Sequence, residues 1–135
     1  MGNVIPATRV EAFSVTVPAS TPQATPQVTP LTMRESDVVH VEIDVPPGHN
    51  GLTGIQLRIA GGQVLPLTPG QFLVLNNRVF ERNLTAQLNS GAWQAYTYNI
   101  DVYPHVFYVS FAVVDFGPGS SADTAEPLPP TPVIA

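Results

Sequence analysis

The chain predicts an all-β fold: one β-sandwich or jelly-roll-like domain of about seven or eight short strands, with an extended Pro-rich arm at each end. Three observations carry this. Several segments alternate apolar and polar residues with the period of two that a half-buried strand requires. These segments are short and are punctuated by Gly, Pro and Asn turn signals, and no stretch shows a helical period of useful length. Finally, proline recurs at Pro18, Pro22, Pro26 and Pro30, three times as Thr-Pro, and a second Pro-rich run occupies 117–135.

Taken in order, 11–17 places Phe13, Val15 and Val17 on one face and predicts a strand. The proline ladder after it cannot be helical or lie in a central strand, because each Pro lacks an N–H and fixes φ. It predicts an extended, polyproline-like crossing or arm, on the order of 40 Å long at roughly 3.1 Å per residue. The clearest strand is 38–45, with Val39, Val41, Ile43 and Val45 inward and His40, Glu42 and Asp44 outward, stopped by Pro46-Pro47-Gly48. Segment 52–59 sets Ile55, Leu57 and Ile59 against Gln56 and Arg58. Gly61-Gly62 is expected to turn it into 64–67, an edge strand because of Pro66. A further hairpin is expected from 72–75 and 79–81 about Asn76-Asn77, and 84–88 is ambiguous. The last two strands are 93–101, with Tyr96, Tyr98 and Ile100 on one face, and 106–116, with Phe107, Val109, Phe111 and Val113 inward. The predicted organisation is an N-terminal strand and arm over 1–30, the β domain over 31–116 and a C-terminal arm over 117–135.

Composition narrows the function classes. Hydrophobic residues make up 44% and charged residues only 11% of the chain, so a packed core is affordable while the surface must rely on Thr, Ser, Asn, Gln and Pro. Lysine is absent, the cations are Arg9, Arg34, Arg58, Arg78 and Arg82, and the net charge is −5. Without a basic cluster, nucleic acid is not expected as a partner, because phosphate neutralisation supplies most of that affinity. Cysteine is absent as well, which removes disulfides, thiolate metal sites and Cys nucleophiles. No signal peptide is expected at the N-terminus. Pro6 stands where a myristoylation pattern needs Ser or Thr, and no apolar run approaches the ~20 residues that span a bilayer.

No catalytic, cofactor-binding or metal constellation emerges. His40, His49 and His105 show none of the spacings of a zinc site and are expected to be ordinary surface histidines. Glu42 and Asp44 share one strand face about 7 Å apart, where they keep that face soluble; Asp101 and Asp115 sit at strand ends. Neither a nucleophile elbow nor a phosphate loop is present. Asn83-Leu84-Thr85 matches a glycosylation acceptor in form only. Trp93, Tyr96 and Tyr98, with Tyr103 and Tyr108, form the one aromatic group that could bind a ligand such as a sugar ring or form an interface. The weightier reading of these residues is core or subunit contact.

The strings Val41-Glu42-Ile43-Asp44-Val45-Pro46-Pro47-Gly48, Gly51-Leu52-Thr53-Gly54-Ile55-Gln56-Leu57 and Gly61-Gly62-Gln63-Val64-Leu65-Pro66 resemble small virion structural proteins of tailed bacteriophages. Tyr98-Asn99-Ile100-Asp101-Val102-Tyr103-Pro104-His105 and the strand after it fit the same pattern, so the resemblance covers roughly 11–116. It implies a non-enzymatic capsid decoration protein on the virion surface, assembled in the host cytoplasm. Its partners would be the major capsid protein and neighbouring copies of itself, as a homotrimer. Pro18, Pro22, Pro26 and Pro30 are the expected contact residues, since an arm already restricted by Pro loses less entropy on docking. The alternative is a tail-tip or fibre-associated carbohydrate- or receptor-binding module using Trp93, Tyr96 and Tyr98.

Overall fold

A computed structural model describes residues 8–34, 36–84 and 92–114. All regular structure among them is β: β1 (Thr8–Val17), β2 (Gln27–Pro30), β3 (Asp37–Val45), β4 (Thr53–Ile59), β5 (Gly62–Leu65), β6 (Arg78–Asn83), β7 (Trp93–Asn99) and β8 (His105–Val114). They form two antiparallel four-stranded sheets, ordered β1-β8-β3-β6 and β2-β7-β4-β5. The pairings are nested: β1 with β8, β2 with β7, β3 with β6 and β4 with β5. The chain is thus one long hairpin whose rungs alternate between the sheets. Additional pairing of β3 with β8 and of β4 with β7 rolls it up.

This winding sorts the connections. The β1–β2, β3–β4, β5–β6 and β7–β8 segments all lie at one pole, while Thr8 and Val114, which are register partners, mark the other.

Between the sheets lies one apolar core, because the period-two alternation of each strand turns its branched and aromatic residues to the same side. Val15 and Val17 of β1, Val41, Ile43 and Val45 of β3, and Phe107, Val109, Phe111 and Val113 of β8 meet Ile55 and Leu57 of β4 and Trp93 and Ala95 of β7. Trp93 packs across the gap on Phe111 with ring centroids 4.8 Å apart, and Phe13 meets Phe111 edge-on at 6.0 Å. Each fully buried side chain of this size contributes about 1.5–3 kcal/mol.

Several expectations are corrected. On β3 it is Val38, not Val39, that faces the core, because a bulge between Val38 and His40 shifts the register against β8. The β4–β5 turn is Ala60-Gly61, one residue earlier than expected, with φ of +49° and +87°; two left-handed residues match the twist of a two-residue hairpin, and Gly62 is free to open β5. Segments 72–75 and 79–81 do not pair with each other. Leu73 bridges Ile55 in one sheet, whereas Val79 and Phe80 belong to β6 in the other.

Of the crossing and the arm expected for the proline ladder, the structure shows the crossing, between β1 and β2. Thr25 N–H closes a turn on the Pro22 carbonyl, Thr21 bridges Asn99, and 27–30 forms β2 on β7, where Pro30 is tolerated because β2 is an edge strand. β1 and β2, which precede residue 31, each pair into one of the two sheets. The C-terminal arm (117–135) and Asp115 lie outside the described residues, as does most of 84–88.

Candidate interaction surface

The pole carrying the four long connections presents the most distinctive surface of the molecule. Strand β7 ends at Asn99, and the next residues display Ile100, Val102 and Tyr103 with 58%, 74% and 67% of their surface exposed. Three large apolar side chains within four residues thus stand exposed together on one loop. The β1–β2 crossing runs alongside, with Pro18 and Pro22 exposed and Pro26 half-buried.

The loop is held from below. Asn99 is fully buried; its amide donates to the carbonyls of Val17 (3.2 Å) and Tyr103 (2.7 Å), and its oxygen accepts from the Asp101 N–H (2.9 Å). Asp101 accepts from the Val102 N–H at 2.7 Å and from His105 Nε2 at 2.8 Å, and its own carbonyl accepts from the Ser20 N–H. These hydrogen bonds, that from His105 first, hold the Asp101 carboxyl below the usual range. Ile100 N–H donates to the Leu52 carbonyl, and Asn76 Oδ1 accepts from the N–H groups of Gly48 and Asn50. All four connections are thereby knitted into one surface, and the apolar tip is hydrogen-bonded at its base.

His49, expected at the surface, is buried beneath this pole. Its Nε2 lies 3.0 Å from the Val106 carbonyl, which can only accept, so Nε2 carries the proton and Nδ1 accepts from the Thr53 hydroxyl at 2.6 Å. Burial lowers its pKa, opposed by the Val106 hydrogen bond and reinforced by nearby His105.

The three aromatics expected to act together are separated. Trp93 faces the core, while Tyr96 and Tyr98 lie on the outer face of the β2-β7-β4-β5 sheet, as alternation along β7 demands. The Arg58 guanidinium covers the Tyr96 ring at 4.1 Å. Tyr98 is buried against Phe72, ring centroids 5.0 Å apart, over Gly54, and this burial raises its pKa. Gln56, expected outward, is also buried, with its amide donating to the Gln71 carbonyl, because the β5–β6 connection folds over that face. Pro30 sits exposed beside Val28 at the edge of the same sheet, away from Pro18 and Pro22.

Among the described residues, one group could gather around a metal ion: His40, Glu42 and Glu81, whose donor atoms lie within 4.8 Å of one another. Sequence spacing conceals it, since strand pairing alone sets Glu42 opposite Glu81. His40 Nε2 lies 3.2 Å from Glu81, and its Nδ1 lies 2.7 Å from Asn83 Oδ1, so both ring nitrogens already have protein partners. Asp44 projects from the same face, beside Val79.

The sequence reading missed the buried roles of Asn99 and His49 and the exposure of Ile100 and Val102. A signal for the last two was present: apolar residues immediately before Tyr103-Pro104, where a turn would otherwise be polar. No protein-family model matches the chain, and no curated protein matches it either.

Proposed function

We propose that the protein is a non-enzymatic virion structural protein of the capsid-decoration kind, which docks through the pole formed by the β1–β2 and β7–β8 connections. The observation that carries this is the exposed apolar tip of Ile100, Val102 and Tyr103, hydrogen-bonded at its base. Anchors displayed on a pre-ordered loop lose little entropy on binding, which is how contact residues gain affinity. The nested pairing of eight strands supports the finer reading of the fold as a jelly roll, an architecture common in viral capsids and also found in lectins. An interior filled by Trp93, Phe107, Phe111 and aliphatic side chains suits a scaffold. The resemblance of 41–66 and 98–105 to phage virion proteins points the same way. Homotrimeric assembly on the capsid surface belongs to this proposal.

Relative to the sequence reading, the contact moves from a free arm to a folded pole. Pro18 and Pro22 remain part of it, while Pro30 does not. The carbohydrate-binding alternative loses its stacking platform, since Trp93 is in the core.

The test is co-sedimentation of the full chain with undecorated capsids and, separately, with tails. We expect saturable capsid binding at a fixed ratio to the major capsid protein. Val102→Asp with Tyr103→Ser should weaken it by about thirtyfold or more, the loss of at least one anchor worth about 2 kcal/mol. A chain ending at Val114 should bind like the full chain, because that residue lies at the opposite pole. Loss of binding in the shortened chain alone would place the contact in 115–135, and binding to tails alone would make the protein a tail component.

A further inference from the structure

We infer that His49 and His105 form an acid-sensitive latch beneath the β7–β8 loop, closed while the buried ring is neutral and opened when it takes up a proton. The consequence for docking rests on the function proposed above; the latch itself does not.

The His49 ring is enclosed on every side the structure describes. β4 presents the Thr53 hydroxyl, and β8 presents the Val106 carbonyl, the Phe107 ring at 4.9 Å between centroids and the His105 ring at 4.6 Å. Among the described groups around it, two titrate: His105 and, on the far side of His105, Asp101 of the β7–β8 loop. Gly48, from the same connection as His49, approaches His105 and brings no charge.

The one carboxylate of the cluster is therefore already engaged by His105. A proton on His49 would meet no counter-charge and almost no water, since the residue is 1% exposed. It would also turn Nδ1 from an acceptor into a donor, so the Thr53 hydroxyl would have to rotate to accept and redirect its own proton. If His105 is protonated as well, two like charges would sit with their rings in contact. The closed arrangement accommodates one positive charge, on the His105 side next to Asp101; an opened loop hydrates two. The lowered pKa of His49 and the lowered pKa of Asp101, which keeps that carboxylate charged through mild acid, agree with this.

One extra proton bound by the open form favours opening by up to tenfold per pH unit below the ordinary histidine value of about 6.5. What opens is the segment bracketed by these contacts. The Val106 carbonyl, the His105 ring and the Asp101 carboxylate that accepts from the Val102 N–H are successive links along 101–106. Releasing them disperses the tip of Ile100, Val102 and Tyr103. In the docked state this would free the protein from its particle in mild acid.

The experiment is amide hydrogen exchange on the full chain from pH 7.5 to 5.0, corrected for the intrinsic pH dependence of exchange. Protection at 100–106 should fall by up to tenfold per unit below about 6.5, while Val109 to Val113 of β8 keep theirs. His49→Gln, which retains an N–H for the Val106 carbonyl and does not titrate, should flatten that dependence. His105→Gln, which removes the facing charge at a less buried position, should move the opening to lower pH and serves if the first variant fails to fold. Loop protection independent of pH, loop and strand protection falling together, or an unchanged profile in the variants would each overturn the latch. A parallel series with capsids separates the two ideas: loop opening with unchanged particle binding upholds the latch and overturns docking through this pole.

Discussion

At Asn99 one fully buried amide serves three backbone groups from two segments, the end of β1 and the loop after β7. Asn99→Ala would leave the Val17 and Tyr103 carbonyls and the Asp101 N–H without this partner, at a cost of about 2–4 kcal/mol by denaturant titration, since a buried orphan costs about 1–3 kcal/mol. Trp93 and Tyr96 are three residues apart yet on opposite faces, and truncation should tell them apart. Trp93→Ala removes core and should cost about 3–5 kcal/mol. Tyr96→Ala forfeits the Arg58 contact and partial burial, worth about 1 kcal/mol. Equal costs would contradict the separation. Gly54 is constrained by proximity: a Cβ there would come within 2.3 Å of the Tyr98 ring and 2.9 Å of Phe72. Gly54→Ala should destabilise by about 1–3 kcal/mol, with the Phe72–Tyr98 contact displaced.

Among the elements, β1 changes its meaning most between sequence and structure. Its alternation predicted a strand correctly, and Phe13, Val15 and Val17 lie on the face expected. What alternation could not say is that β1 runs the full length of β8, from Thr8 opposite Val114 to Val17 opposite His105. A chain beginning at residue 31 therefore loses β1 and β2, exposes β7 and β8, and should show no cooperative thermal transition. Removing 1–7 should leave the transition of the full chain intact. A native-like circular dichroism spectrum and melting curve from the chain beginning at 31 would overturn this. The β5–β6 connection teaches the same lesson: local pattern suggested a hairpin from 72–75 to 79–81, but Leu73 and Phe80 serve different sheets. Strand identity is a local property of alternation, whereas partner choice is made at long range, where the buried face of each segment finds its complement.

For the whole molecule, stability against pH should form a plateau with identifiable edges. On the acid side, His49 is harder to protonate folded than unfolded, so the unfolded chain binds more protons below about 6.5 and stability falls as pH falls. Asp101 loses rather than gains a charge on protonation but, like His49, binds its proton more weakly folded than unfolded: its depressed pKa contributes stability above the free carboxylate value, lost as pH drops through the folded one. On the alkaline side, buried Tyr98 resists ionisation, so the unfolded chain loses its proton first and stability declines above about 10. Urea titrations from pH 2 to 11 should show these edges, with His49→Gln removing the first decline. Salt should matter little, because the ion pairs named here, Arg9–Glu11, His40–Glu81 and His105–Asp101, are few and short-range. The two poles differ in kind, with the apolar tip at one and the strand ends Thr8 and Val114 at the other.

By itself the sequence determined that this is a β protein, where its strands lie with the exceptions of β2 and 72–75, which residues of 11–17 and 106–114 form the core, and that Pro30 could only occupy an edge. These follow from backbone chemistry and the two-residue repeat, which act within a few neighbours. Only the tertiary structure decided that β2 forms within the proline ladder, that a bulge exchanges Val39 for Val38, and that His49 is buried beneath the apolar tip. Each of those depends on which strands lie side by side. That choice is set by contacts between residues tens of positions apart, whose pairing leaves no local trace in the order of the amino acids.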